Sequence, residues 1–374
     1  MRSGGARAET AEGPPAAPAV GMPGGRGRTR KTRRYGRLRP GDRVAVVAPS
    51  GPADPARLEA GCAALRDLGL DAVVGEHALD RVNLGTPGPV RGDWHRLAGG
   101  DADRAADLRD AWCDPRVRAV ICARGGYGAT RVLDHLDWDA LAAAADASAE
   151  PKILHGSSDI TALHAAFGTR LGVTTSFGPM PAGVLADDPP DGDTLAALRA
   201  ALFGGPVTLP GTHALRPGRA EGRLTGGTLS LLTALLGTPY APAPAAGRIA
   251  FLEDVAEAPY RVDRMLVQLL QAGWFDGAAG IALGSWRDCG DPAELDAVFA
   301  ARLGPLGVPV LAGVPAGHGP RQLTLELGAP AVLTAAGPPH AAPPPHDPQH
   351  PHDPRPAVPE PGALTFEAPP GGAR

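Results

Sequence analysis

The chain reads as an α/β protein. Its N-terminal part is a doubly wound, mostly parallel sheet, followed by a second, smaller α/β unit richer in strand, with the functional site expected where the two meet. Three observations predict this. Between residues 43 and 167, short apolar runs alternate with stretches whose apolar residues recur at three-to-four spacing, the pattern of strands separated by packed helices. Several runs end in tight turns, as at Pro49-Ser-Gly51 and Arg124-Gly-Gly-Tyr-Gly128. A Pro/Asp/Gly-rich stretch at 181–220 divides the 374 residues into two parts, each long enough for its own core.

Taken in order, Arg43-Val-Ala-Val-Val-Ala-Pro49 is a buried strand and turn. A helix spans Pro55 to Leu68, with Leu58, Cys62, Leu65 and Leu68 along one face, and Gly69 stops it. Asp71–Val74 is the next strand, and residues 101–113 form an amphipathic helix through Ala105, Leu108 and Trp112. Val117–Ala123 is a strand that delivers the glycine turn, and residues 129–146 are helical. The strand Ile153-Leu154 then runs into Gly156-Ser-Ser-Asp159 and a helix from Ile160 to Phe167. The connection at 181–220 holds one helix, Thr194 to Leu202. Beyond it, Glu221–Ser230 opens a helix, Leu229 to Leu236. Strands follow at Arg248–Leu252, Gly280–Leu283 and Val308–Leu311, with a helix Arg261 to Gln271 between the first two.

The expected organisation is therefore a disordered basic tail (1–36), a first domain (37–180), the connection (181–220), a second domain (221–337), an inserted loop (338–361), and a final strand and tail (362–374). The tail lacks large apolar side chains and cannot offset its ordering entropy by burial. Its cations (Arg26, Arg28, Arg30, Lys31, Arg33, Arg34) read as a solvated run, and Arg33-Arg34 precedes no apolar core of an export signal. The inserted loop is Pro-rich, with His340, His346, His350, His352, Asp347 and Asp353. Extended proline-rich chain offers no preorganised tetrahedral cage, so no metal is expected there. Apolar runs on both sides (Ala331–Thr334 and Ala363–Phe366) make it a loop between two strands.

Composition removes several function classes. The formal charge is only −4, so nothing overall points to nucleic acid or an anionic membrane as partner. No apolar run approaches the ~20 residues that span a bilayer. Cys62, Cys113, Cys122 and Cys289 are scattered without a C-x-x-C pair and read as reduced thiols, with neither bridges nor a zinc site. A soluble intracellular protein is expected. Gly126-Tyr-Gly128 lacks the third glycine of a dinucleotide fingerprint, Arg131 standing in its place, so no such cofactor is expected.

The most informative stretch is Pro151–Thr161. A strand, a Gly, paired serines and an acid opening a helix follow the plan of a nucleophile elbow, which projects a hydroxyl and frees backbone N–H groups for an oxyanion. Either Ser157 or Ser158 fits, and a serine there can also simply cap the helix. A reactive serine needs a base and a carboxylate to hold that base. Glu253 and Asp254 close one apolar run of the second part, and His318 lies between two glycines just beyond another. The order Ser…Glu…His is one that known triads use.

Seven segments in family order resemble the serine peptidases of the LD-carboxypeptidase type, which include murein tetrapeptide carboxypeptidases and microcin C self-immunity peptidases. They are Val46–Ser50, Arg124–Gly128, Gly156–Thr161, Gly222–Ser230, Leu252–Val255 with Tyr260-Arg261, Leu283–Ser285 and Gly317–Gly319. The resemblance covers about residues 38–335 and 362–367. It implies Ser158 as nucleophile, Glu253 as orienting carboxylate, His318 as general base, and the N–H groups of Gly126 and Asp159 as oxyanion hole. Selectivity for a free C-terminal carboxylate requires a cation, for which Arg124 and Arg261 stand in position.

The implied activity is release of terminal D-alanine from murein tetrapeptides in the cytoplasm, without cofactor, with a homodimer suggested by the same resemblance. Two alternatives stand beside it. One is self-immunity against an aminoacyl-nucleotide antibiotic, against which residues 180–193 count by containing no aromatic. The other is a catalytically silent binding protein. The chain departs from the family pattern at Ser157 (commonly bulky), Ala129 (commonly Ser), Thr228 (commonly Asn) and the 338–361 loop.

Overall fold

The computed structural model describes residues 31–83, 96–337 and 362–366. The Pro/His loop and residues 1–30 and 367–374 lie outside the described residues. The strands are β1 (Arg43–Val47), β2 (Asp71–Val74), β3 (Val82–Asn83), β4 (Arg96–Leu97), β5 (Val117–Cys122), β6 (Ile153–Gly156), β7 (Thr175–Phe177), β8 (Val207–Pro210), β9 (His213–Arg216), β10 (Gly218–Thr228), β11 (Arg248–Val255), β12 (Gly280–Arg287), β13 (Val310–Ala312), β14 (Leu325–Leu327), β15 (Pro330–Ala335) and β16 (Ala363–Phe366). The helices are α1 (Pro55–Asp67), α2 (Asp101–Cys113), α3 (Ala129–Val132), α4 (Trp138–Ala147), α5 (Thr161–Ala166), α6 (Gly192–Phe203), α7 (Leu229–Ala234), α8 (Pro259–Gln271) and α9 (Pro292–Leu303).

The first sheet has the order β14-β7-β6-β5-β1-β2, parallel except for the antiparallel edge strand β14. Its apolar strands are covered on both faces. One core gathers Leu108, Trp112, Leu141 and Phe167 from the α2, α4 and α5 side, and another Leu58, Leu65, Leu198 and Leu202 from α1 and α6. The winding reverses between β1 and β5. The crevice beyond the carboxyl ends of those two strands is where open α/β sheets bind ligands, and the Pro49–Gly51 turn and the glycine turn both lie there.

The second sheet has the order β8-β16-β15-β10-β11-β12-β13-β9, with β10 to β13 parallel and the rest antiparallel. Its two edge strands, β8 and β9, are separated in the chain only by Gly211 and Thr212. Three peptide steps span at most about 10 Å, so the sheet curls until its edges meet. The curled interior is filled by Leu224, Phe251, Leu311, Leu333 and Leu364 together with Phe177 and Leu325 of the first sheet. The two sheets therefore share a core. Phe177 meets Phe251 edge-on at 5.4 Å between centroids, a contact worth about 0.5–1.5 kcal/mol beyond its area.

Several expectations are corrected. Residues 31–36 are not part of a disordered tail. Arg33 bridges to Val173, and the Arg34 guanidinium donates to both oxygens of Glu326. The 181–220 stretch is no bare connection either, since α6 joins the first core and β8 and β9 join the second sheet. The helix expected over 129–146 is interrupted, because Asp137 accepts from Ala140 N–H at 3.0 Å and starts α4 afresh. Residues 218–228 form strand β10, which lacks a period-two apolar pattern because Gly222, Gly226 and Gly227 lie against neighbouring backbone or side chains. The segment 221–337 is not one unit, since β14 within it belongs to the first sheet.

Candidate active site

The turn carrying Ser157 and Ser158 forms where β6, buried along its whole length, meets a 3-10 turn at Ser158–Ile160. Ser157 is extended, and Ser158 adopts φ +61°, a left-handed conformation rare for a residue with a side chain. Such strain persists where surrounding structure dictates it, often at functional sites. Here the packing partner is Gly125. A Cβ added there would stand 2.8 Å from Ser158 Cβ and 3.0 Å from its Oγ. Neither serine caps the following helix through its side chain. The structure turns Ser158, rather than Ser157, toward the second sheet.

Glu253 lies near the end of β11, fully buried, at a register irregularity against β12. Asp254 points elsewhere and accepts from the Ser230 N–H at the start of α7 and from the Val255 N–H next to it in β11. Burial outweighs those bonds and raises Asp254 to about 6. His318 lies on the segment that leaves β13 in the second sheet and enters β14 in the first. Gly317 (φ +111°) sits so close to Glu253 Oε2 and Ser285 Oγ that any Cβ would overlap them. Gly319 N–H donates to Ser285 Oγ at 3.1 Å, holding the other side of the loop.

These elements bring three side chains together. Glu253 Oε2 lies 2.7 Å from His318 Nδ1 and accepts the His318 backbone N–H at 3.2 Å; His318 Nε2 lies 2.9 Å from Ser158 Oγ. A carboxylate accepts only, so Nδ1 carries the proton and Nε2 is free to accept from the serine hydroxyl. Burial disfavours the imidazolium. Glu253, through its hydrogen bond and charge, and Asp254 through its charge, outweigh burial and leave the His318 pKa raised. The second carboxylate oxygen, Glu253 Oε1, accepts from Thr228 Oγ1 at 2.5 Å, and that hydroxyl also lies 3.3 Å from the Ser158 carbonyl. The Thr at position 228 thus fills a hydrogen-bonding place between Ser158 and Glu253.

Gly126 (φ +118°) lies in the turn packed against Ser158, and the Cβ position of Gly125 is 3.4 Å from Asp159 N. Arg124 lies along the same turn, donating to the carbonyls of Gly125 (3.2 Å) and Pro52 (3.3 Å). Arg261 is placed differently. It contacts Tyr260 and Glu257 on the exposed start of α8. Cys62, Cys122 and Cys289 are buried free thiols and Cys113 is half-buried. Burial raises all four pKa values, that of Cys289 to about 11, so none is an activated thiolate. Among the described residues, no three His, Cys, Asp or Glu side chains gather as metal ligands, and no helix is long and apolar enough to cross a membrane.

Sequence reasoning passed over Arg104. Its place was visible, because it stands at i−4 from Leu108 on the apolar face of α2, where a cation requires a reason. Its side chain is fully buried and donates to the carbonyls of Pro49 and Gly128.

Residues 44–178 match the LD-carboxypeptidase N-terminal domain and residues 221–333 the LD-carboxypeptidase C-terminal domain. The chain is 51% identical over 306 residues to a putative carboxypeptidase of Streptomyces coelicolor, covering 81% of this chain and 93% of that protein. It is 34% identical to the murein tetrapeptide carboxypeptidase of Pseudomonas aeruginosa, covering 78% of this chain and 92% of that one. The fold matches the crystal structure of muramoyltetrapeptide carboxypeptidase from Oxalobacter formigenes with TM-score 0.68 and 25% identity, over 87% of this chain and 98% of that chain. It matches MccF in complex with glutamyl sulfamoyl guanosine with TM-score 0.67 and 25% identity, over 80% and 95%. The chain belongs to the LD-carboxypeptidase family of serine-type peptidases.

Proposed function

We propose that this chain hydrolyses the amide between the L-configured centre of a diamino acid and the terminal D-alanine of a murein tetrapeptide. The observation that carries the reading is the His318 imidazole lying within hydrogen-bond reach of both Ser158 Oγ and Glu253 Oε2. The names of the relatives in Pseudomonas and Oxalobacter support the substrate class.

In this reading Ser158 Oγ attacks the carbonyl carbon while His318 Nε2 takes its proton. The oxyanion forms against the N–H groups of Gly126 and Asp159; loss of one such donor costs about 10²–10³ in kcat. Collapse breaks the C–N bond as His318 returns the proton to the leaving amine of D-alanine. A water, deprotonated by His318, then attacks the acyl ester and regenerates the Ser158 hydroxyl. Glu253 keeps the Nδ1 proton in place and offsets the positive charge on the ring during both halves. Arg124, pinned to the glycine turn, serves as cation for the terminal carboxylate, with Arg261 the outer candidate. Residues 37–180 supply the nucleophile, and 221–337 the carboxylate and base, across their junction. The cytoplasmic setting and a homodimer belong to this proposal on the family resemblance alone.

Release of D-alanine from such a tetrapeptide by the purified chain, abolished by Ser158→Ala, is the expected result. Release that survives Ser158→Ala overturns the reading. The likeness to MccF, solved with glutamyl sulfamoyl guanosine and with aspartyl sulfamoyl adenosine, favours one rival substrate, an aminoacyl sulfamoyl adenosine. Faster turnover of that compound than of the tetrapeptide would assign the chain to self-immunity. Failure of a fluorophosphonate to label Ser158 would favour a silent binding protein.

A further inference from the structure

Two buried charged side chains outside the proposed triad grip the same two loops. The Asp159 carboxylate, through Oδ2, accepts the Ser50 hydroxyl at 2.6 Å and the Ala129 N–H at 2.8 Å. The Arg104 guanidinium, through Nη1, donates to the Pro49 carbonyl at 2.5 Å and the Gly128 carbonyl at 3.0 Å. The peptide unit between Gly128 and Ala129 is therefore held at both ends, its oxygen by the cation and its N–H by the anion. Pro49 and Ser50, in the turn after β1, are held by the same pair. Arg104 is itself fixed by Asp101, which Arg131 also binds at 2.6 and 2.9 Å. Gly128 has φ +121°, and a Cβ there would stand 2.8 Å from Arg104 Nη1. Burial raises the Asp159 pKa; the hydrogen bonds from Ser50 and Ala129 and the charge of Arg104 oppose that rise.

We infer that Arg104 and the Asp159 side chain are positioning residues that fix the glycine turn against the nucleophile turn and so hold the two oxyanion donors, Gly126 N–H and Asp159 N–H, at a set spacing. Asp159 acts twice, by its backbone as a donor and by its side chain as an anchor for the turn carrying the other donor. A buried charge is costly unless neighbours compensate it, and here the pair is hydrogen-bonded to the two turns that border the nucleophile and to Asp101. Donors aimed at developing charge stabilise the transition state rather than the bound substrate. Loosening the brace therefore lowers kcat, leaves KM nearly unchanged, and leaves the pH dependence set by His318 where it was.

The inference rests on the oxyanion assignment made under Proposed function. The test uses the full chain with murein tetrapeptide as substrate and a phosphonate tetrahedral analogue as inhibitor. Arg104→Met and Asp159→Ala are expected to lower kcat by about 30-fold to 10³-fold, with KM within about threefold. Analogue affinity should fall in step with kcat/KM, and the acidic limb of the pH profile should stay fixed. Asp159→Asn, whose amide oxygen can still accept both donors, is expected to recover most of kcat. If the first two fail to fold, Ser50→Ala removes a single donor and is expected to cost about tenfold in kcat with the same signature. Unchanged kcat in Ser50→Ala overturns the inference, as does a shifted acidic limb or a parallel rise in KM. If the unaltered chain neither releases D-alanine nor takes a fluorophosphonate, the underlying reading fails instead.

Discussion

Replacing Glu253 by Gln separates the charge of the buried carboxylate from its geometry. With its amide oxygen toward His318, Gln still accepts from Nδ1–H and from the backbone N–H that Oε2 now receives at 2.7 and 3.2 Å. Its amide NH₂ then faces the Thr228 hydroxyl, which can accept as well as donate. The ring orientation survives and the negative charge does not. Charge centres about 4 Å apart interact by about 4 kcal/mol at an effective dielectric near 20. At about 1.4 kcal/mol per decade of rate, with part of the attraction kept by the amide dipole, kcat should fall by about 10²–10³. The base must be neutral to act, so activity rises with pH through the imidazole pKa. Glu253 raises that pKa; without the charge, the acidic limb moves to lower pH. Stability follows the same sign. The raised pKa contributes stability below the unfolded value of about 6.5 and loses it as pH rises through the folded one, so Glu253→Gln should cost more melting temperature at acidic than at alkaline pH. The assay is D-alanine release across the pH range at saturating and limiting tetrapeptide. A kcat within about threefold of the parent, or an acidic limb that stays or moves up, would refute the role given to the carboxylate.

Gly125→Ala should abolish most turnover while leaving the fold intact, because its Cβ would press on Ser158 at 2.8 Å; reaction with a fluorophosphonate measures this, and a parental labelling rate contradicts it. Replacing residues 338–361 by a short turn should leave kcat/KM unchanged. Ala335 pairs with Gly218 at the start of β10, whereas the site lies near Thr228 at its other end. Loss of D-alanine release in that deletion would show that the loop reaches the site.

Much of the first sheet was legible because its strands are continuous apolar runs and its helices carry regular stripes. The three-residue strands β7 and β14 were not, since so few residues show no period. β10 was hidden by its glycines, which exist for contacts with distant residues: Gly227 lies against Thr161 of the first unit. The residues of the candidate site were legible because each stands at an abrupt break in an apolar run. The spacing that joins Ser158, Glu253 and His318 was not, because it depends on the curl of a sheet whose edges close through Gly211 and Thr212. Arg104 was overlooked because an isolated arginine in a helix ordinarily reads as surface.

The route of the chain around His318 limits how the protein can move. Seven residues after this histidine the backbone has already become β14, laddered onto β7 at the margin of the other sheet. The imidazole is thus stitched to both halves, and swinging them apart like jaws would first require unzipping that edge ladder.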